Sequence, residues 1–204
     1  MHSGANGMAF PEQLASEVVI LRPLAVGDAP ALFEITPPDT FRYFTSWPKA
    51  WTLEAFSAWM NQRLFTPACF ALAVIDARTG HLIGASSYLE FDAAHRSVEI
   101  GATWYAASAR GTLVNPSCKL LMLEYAFGPM FGGRCERVTI KCDGRNERSQ
   151  RAIAKLGAVR EGVLRRHRVL SDGFVRDTVM FSVVRDEWPA VRERLERRIA
   201  GGGG

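Results

Sequence analysis

The segment Ala109-Arg110-Gly111-Thr112-Leu113-Val114-Asn115 is where this 204-residue sequence most directly offers chemistry. It joins a strand-like run to a helical one. The first turn of such a helix leaves backbone N–H groups without partners and carries the positive end of the helix dipole, so an anion fits there. Gly111 permits close approach of a ligand to the backbone, and Arg110 adds charge. Many helices begin this way, so the segment alone is a weak signal. A second cationic feature lies downstream. Residues 145–168 hold Arg145, Arg148, Arg151, Lys155, Arg160, Arg165, Arg166 and Arg168 against Glu147 and Glu161, a local net charge of +6 in a chain of +4. This is either a solvated helix face or a site for phosphates of a cofactor or nucleic acid. No aromatic residue interleaves these arginines, which counts against stacking of single-stranded bases.

Other chemistries lose weight. GxxxxGK[ST], HExxH, GxSxG and GxGxxG are all missing, against kinases, zinc proteases, serine esterases and dinucleotide dehydrogenases. Cys69, Cys118, Cys135 and Cys142 form no CxxC pair, and the four histidines are widely spread, so no metal site is expected. A cysteine nucleophile needs an activating partner. None is evident beside Cys118 or Cys142, which read as core thiols.

The elements that must position these residues follow from periodicity and punctuation. Val18–Leu24 reads as a strand, and Asp28 as the cap of a short helix through Ile35. Thr52 is a good N-cap for a helix with Phe56, Trp59, Met60 and Leu64 on one face. Strands 70–76 and 81–91 form a hairpin about ARTG, and 97–104 is a third strand. Asn115-Pro116 supplies an N-cap and a proline at the first helical position, with Gly132-Gly133 ending that helix. A strand at 137–142 follows, then a helix capped by Asn146 and closed by Gly157. Strands 163–169 and 175–184 meet at Ser171-Asp172-Gly173, and a charged helix runs from about Glu187 to Ile199. The strand–helix–strand crossover of 97–142 demands a parallel pair among antiparallel hairpins. The expected fold is thus mixed α/β, with a mostly antiparallel sheet built around a β-α-β core. Residues 1–16 read as a loose arm, 17–200 as a single domain, and the terminal glycines as a frayed end.

Four stretches carry a resemblance: VEIGATWY at 98–105, RGTLVNPSCKLLMLEYAF at 110–127, NERSQRAIAKLGAVREGVLRRH at 146–167, and DGFVRDTVMFS at 172–182 followed by EWPAVRERL. Together and in this order they resemble the GNAT superfamily of acyl-CoA N-acyltransferases, in its RimJ/RimL-like branch. The resemblance covers about residues 17–198. It implies a GNAT fold whose strand 97–104 kinks and splays from strand 137–142, with the pantetheine arm of acetyl-CoA against the backbone around Thr103 and Trp104. It places the pyrophosphate on Arg110, Gly111, Thr112, Leu113, Val114 and Asn115, and Asn146 near the pantetheine. Arg151 and Lys119 are charge-based candidates for the outer phosphates. The superfamily loop Q/R-x-x-G-x-G/A is matched at Arg110, whereas Leu113 and Asn115 depart from it. The frequent general-acid Tyr is Ile153 here, while the branch's Ser is present as Ser149. The branch's glutamate base maps onto Arg168.

The implied reaction is direct transfer of an acetyl group to a primary amine, either a protein N-terminal α-amine or a small molecule. The attacking amine must first lose a proton. Glu99 on the kinked strand is the best remaining base, against a plain strand carboxylate paired to a cation. His167 could accept a proton at neutral pH or be merely structural. Ser149 is either an acid or an ordinary residue of a capped helix, and proximity alone could make any single base dispensable. Phe41, Tyr43, Phe44, Trp47 and Trp51 are read equally as an acceptor wall or as core. The rival classes are a non-catalytic acyl-CoA-binding module and, with little weight, a nucleic-acid-binding protein using the 145–168 patch. The C-terminal hairpin and helix could support a homodimer. Composition (48% hydrophobic, 23% charged) is that of a soluble globular chain. Its apolar runs fall short of the ~20 residues that cross a bilayer, and MHSGANGMAFPEQ lacks signal-peptide features. A cytoplasmic location with no membrane partner is expected.

Overall fold

The computed structural model describes residues 10–202 apart from residue 68. Its strands are β1 (Leu14–Ala15), β2 (Val19–Pro23), β3 (Cys69–Asp76), β4 (Leu82–Asp92), β5 (Ser97–Tyr105), β6 (Arg137–Asp143), β7 (Val159–Val169) and β8 (Val175–Val184). Its helices are α1 (Ala29–Ile35), α2 (Leu53–Leu64), α3 (Val114–Phe127), α4 (Glu147–Leu156) and α5 (Trp188–Ala200). The strands form one sheet in the order β1-β2-β3-β4-β5-β6-β8-β7. Every neighbouring pair is antiparallel except β5–β6, which the α3 crossover makes parallel. The mixed, mostly antiparallel α/β architecture is as expected. No helix among the described residues is long and apolar enough to cross a membrane.

Strand alternation sends side chains to two different cores. Leu72, Val74, Tyr88, Val98, Ile100, Val138, Ile140, Val179 and Phe181 meet Met122 and Leu123 of α3, Ile153 and Leu156 of α4, and Leu195 of α5. On the opposite face Ala71, Ala73 and Ala85 leave room for Leu32 of α1 and for Phe41, Phe56, Trp59 and Met60. Most aromatic rings there contact edge-on or tilted, as at Phe41–Trp59 (centroids 4.6 Å apart) and Phe33–Phe56 (5.6 Å), while Phe33 stacks on Trp51.

The feature that shapes the site is a bulge in β5. Ser87 pairs with Gly101, yet Ala85 pairs with Trp104, so β5 holds one residue more than β4 over this stretch. The extra residue is absorbed at Ala102, which takes a left-handed φ of +48°. β5 pairs with β6 only from Ser97↔Arg137 to Glu99↔Thr139. Beyond Glu99 the two strands part, and the β6-side edge of β5 has no strand partner among the described residues. Gly84 is needed opposite the bulge, because a Cβ there would stand 2.3 Å from the Trp104 carbonyl oxygen.

Several local expectations are corrected. The loose arm is shorter than 1–16: Leu14–Ala15 pair with β2, and the Phe10 ring stacks on Phe70 with centroids 3.9 Å apart. Residues 1–9 lie outside the described residues. Asp28 does not cap α1; its carboxylate accepts from Arg22 and from the Ala25 N–H, closing the turn before the helix. Asn115 is not an N-cap, since α3 already begins at Val114. The Thr112 hydroxyl accepts from the Val114 N–H and donates to the Ala109 carbonyl, and so takes over that end. α3 ends at Phe127 rather than at Gly132-Gly133. Gly128 precedes Pro129, which disfavours a helical residue before it. At the C-terminus the N–H groups of Gly201 and Gly202 bond back to α5, and residues 203–204 lie outside the described residues. Thr52 and Asn146 do cap their helices, accepting from Ala55 N–H (3.2 Å) and Ser149 N–H (3.0 Å).

Candidate active site

The free edge of β5 runs directly into the loop that starts α3. Gly111 has a φ of +78°, and beyond its own chain neighbours no described atom lies within 4 Å of where its Cβ would be, so the backbone here is bare on one side. The N–H groups of Gly111, Thr112, Leu113 and Asn115 have no acceptor among the described residues. Together with the dipole of a 14-residue helix they form a cradle for an anion. The departures from small residues at Leu113 and Asn115 do not block it: Leu113 is half-buried, and the Asn115 amide oxygen accepts from the Tyr105 hydroxyl at 3.2 Å. The Arg110 side chain turns inward. Its Nε donates to the Tyr105 carbonyl (2.9 Å) and its Nη2 to Thr40 (3.1 Å), so it braces the loop.

Thr103 and Trp104 offer this edge only their backbone. The Thr103 hydroxyl is held by Ser86 and Lys119, and the Trp104 ring lies among Phe41, Phe44 and Trp59. Lys119, expected near the outer phosphates, is buried under the sheet instead. Arg151 is exposed on α4, 3.1 Å from Glu147, and stays available to an anion. Asn146 spends its side-chain oxygen on the cap of α4. Ser149, one turn in, places its hydroxyl against the Cys142 thiol, whose pKa burial pushes up despite that hydrogen bond.

On the α1/α2 side of the β5–β6 divergence sits a charged cluster. Lys141 Nζ lies 2.7 Å from Glu99 Oε2 and also bonds Glu90, which Arg168 approaches to 3.5 Å. Burial raises the Glu99 pKa above the ordinary carboxylate range, and the nearby Glu90 charge adds to this while Lys141 opposes it. Burial would also raise Glu90, but Lys141 and Arg168 hold it below its usual value. Gly101 keeps the Glu99 carboxylate in place, for a Cβ there would stand 2.7 Å from Glu99 Oε1. His167 belongs to the same neighbourhood. Its Nδ1 is buried with no partner among the described residues, and burial plus Arg168, Lys141 and Arg176 lower its pKa, leaving a neutral imidazole at neutral pH. Glu99 and His167 thus share one face of the divergence, and Ser149 stands with α4 on the other.

Sequence reasoning missed Lys141, Glu90, Asp143 and Arg176. Asp143 takes a bidentate bond from Arg145 (2.9 and 2.8 Å), while Arg176 donates to the Tyr43 carbonyl at 3.2 Å. Ser171 at the β7–β8 turn reaches the Thr45 carbonyl, so the hairpin is tied to the loop before α2. A signal was present. In β6 the apolar Val138, Ile140 and Cys142 alternate with Arg137, Thr139, Lys141 and Asp143, a polar face on a central strand. Of the five aromatics, Phe41 is core and Phe44, Trp47 and Trp51 pack against that core. Tyr43 differs, lying beneath the guanidinium groups of Arg42 and Arg145.

Comparison with known proteins supplies the context. The family model for an acetyltransferase (GNAT) domain matches residues 19–159. A proposed acetyltransferase from T. thermophilus is 40% identical, with a TM-score of 0.87, covering 94% of this chain and 98% of that one. A GCN5-related N-acetyltransferase from Brucella melitensis is 26% identical, with a TM-score of 0.83 over 94% and 89% of the two chains. The spermidine N-acetyltransferase from Vibrio cholerae, solved with CoA and spermine, shares the fold at 19% identity and a TM-score of 0.68, over 85% and 99% of the chains. No curated protein matches.

Proposed function

The chain belongs to the GNAT acetyltransferase family and is an N-acetyltransferase, and we propose that it transfers acetyl directly from acetyl-CoA to a primary amine at the β5–β6 divergence. The observation that carries this reading is the Ala102 bulge, which frees the β5 edge at the point where the chain turns into the α3 anion cradle. An extended thioester arm pairs with the backbone of Thr103 and Trp104 while its diphosphate takes the N–H groups of Gly111, Thr112, Leu113 and Asn115. Arg151 and Asn146 flank the same opening from α4. Glu99 accepts the proton of the incoming amine on the Lys141 side, with His167 as the neighbouring neutral acceptor. Ser149, on the opposite side, donates to the departing thiolate. A base and an acid on opposite faces of the opening suit a reaction in which the amine enters from one side and the thiol leaves on the other.

The charge around Glu99 supports a choice of acceptor. Both carboxylates there are committed to Lys141, and Arg168 and Arg176 stand alongside. Little negative charge is left for a polycation. The acceptor we assign is an amine whose neighbouring groups are neutral or anionic, as on a peptide N-terminus in the manner of the RimJ/RimL-like branch. The test begins with calorimetric titration of acetyl-CoA into wild type and Gly111→Glu, which puts a carboxylate into the cradle. Binding lost only in the folded variant, followed by thiol release with peptide amines in preference to spermine, supports the reading. Equal binding by both proteins overturns the cradle, and preference for spermine overturns the acceptor.

A further inference from the structure

Lys119 is 5% exposed, and its ammonium has no carboxylate partner among the described residues. Nζ donates to Thr103 Oγ1 at 2.7 Å and to Ser86 Oγ at 3.1 Å, and those hydroxyls bond each other at 2.7 Å. The groups facing it are neutral. Cys118 on its own helix, Tyr105 of β5 and Tyr88 of β4 are all pushed towards their protonated forms by burial. β2 presents Val19 and Leu21, and the Glu124–Arg192 pair joining α3 to α5 lies at the solvent side. A buried cation without a counter-ion is costly, since hydroxyls replace only part of its hydration. Methionine would fill the same volume without that penalty.

The position of the charge gives it a use. Lys119 lies one helical turn, about 6 Å, beyond Asn115 at the end of the cradle. Its nearest partner, Thr103, directly follows the bulged Ala102. The ammonium therefore lies against the strand that carries the free β5 edge, on the helix whose first turn forms the cradle. Resting on the acetyl-CoA reading above, we propose that Lys119 is an electrostatic positioning residue of the acyl-CoA site, whose missing counter-charge is supplied by the ligand's diphosphate. It does not touch the reacting atoms. Burial lowers its pKa to about 8 in the unliganded protein, and an arriving anion stabilises the protonated form. Ligand binding at mildly alkaline pH therefore draws a proton from solvent onto Nζ.

The experiment is calorimetry with coenzyme A at pH 8.5 in buffers of different ionisation enthalpy, with pantetheine, which lacks phosphates, as the second probe. Wild type takes up about two-thirds of a proton with coenzyme A and none with pantetheine. Lys119→Met shows no uptake, binds coenzyme A about tenfold more weakly, binds pantetheine as wild type does, and is the more thermostable protein without ligand. Lys119→Arg, which keeps the charge without titrating in this range, restores affinity without uptake. Coenzyme A binding to wild type without proton uptake overturns the role of Lys119 alone. Absence of coenzyme A binding by wild type overturns the acetyl-CoA reading, and this inference with it. The comparison of the two probes on wild type needs no variant, so a misfolded Lys119→Met leaves the test intact.

Discussion

Replacing Lys141 by Met should move the acid limb of the pH–rate profile to higher pH. The magnitude follows from the cluster. Nζ stands 2.7 Å from Glu99 Oε2, and both side chains are nearly buried. Two unit charges about 4 Å apart at an effective dielectric constant near 20 interact by ~4 kcal/mol. That corresponds to roughly three pKa units, an upper bound because water reaches part of the cluster. Glu90 loses the same partner and remains as a like charge beside Glu99, which acts in the same upward direction. The sign is unambiguous: Lys141 favours the ionised carboxylate, so its removal favours the protonated one. The acid limb of kcat/KM is expected to rise by one to three units, with the alkaline plateau retained because Glu99 still ionises there. The assay is thiol release at saturating acetyl-CoA, using an acceptor whose amine is already neutral across the range, so that its own titration adds no limb. Glu99→Gln should remove the limb and lower the rate by about 10²–10⁴-fold. An acid limb that stays in place in folded Lys141→Met, or a Glu99→Gln enzyme at wild-type rate, would refute Glu99 as the base and leave it an ion-pair partner.

Two further outcomes follow from the same geometry. Gly101→Ala brings a Cβ to within 2.7 Å of Glu99 Oε1 and 3.0 Å of Leu89, so the carboxylate must turn; kcat should fall more than tenfold while the Kd for acetyl-CoA, read calorimetrically, changes little. Acid stability should depend on Asp143 and Asp28, whose pKa values Arg145 and Arg22 hold below the usual range against the opposing effect of burial. Depressed carboxylates stabilise the fold fully above their unfolded pKa of ~3.9 and lose that contribution as pH falls through the folded value. Asp143→Asn should therefore lower Tm at pH 7 but converge with wild type near pH 2, whereas a constant gap down to that pH would show that the ion pair is not the cause.

Element order was legible because each element obeys its local signals. Apolar alternation, the caps at Thr52 and Asn146, and Gly157 at a φ of +105° all agree with the final structure. Signals failed where two groups competed for one role. Asn115-Pro116 has the form of a helix start, but Thr112 lies three residues earlier and satisfies the first N–H itself, which frees Asn115 for Tyr105. Lys119 sits in a helix among Leu and Met residues, and nothing in its spacing shows that two hydroxyls from other strands await it. The Ala102 bulge carries no residue signature, since alanine rarely adopts positive φ. Its only trace is across the ladder at Gly84, where a glycine inside an apolar strand marks close backbone approach.

The bulge also explains why the two ionic centres differ. Had β5 kept strict alternation through Ala102, Thr103 would face α1 and α2 while Trp104 faced α3. With the extra residue, Thr103 turns to Lys119 of α3 and Trp104 joins the aromatic core between the sheet and α1 and α2. Glu99 precedes the bulge and keeps the face it shares with Lys141. One inserted residue thereby divides the strand between two electrostatic regimes. On one face a cation lacks an acid, which suits an anion that arrives and leaves. On the other an acid raised by burial lies against a cation that favours its ionised form, which suits a group that must be ready to accept a proton. Deleting Ala102 would exchange the faces of every residue after it, so the bulge should tolerate substitution by glycine but not removal.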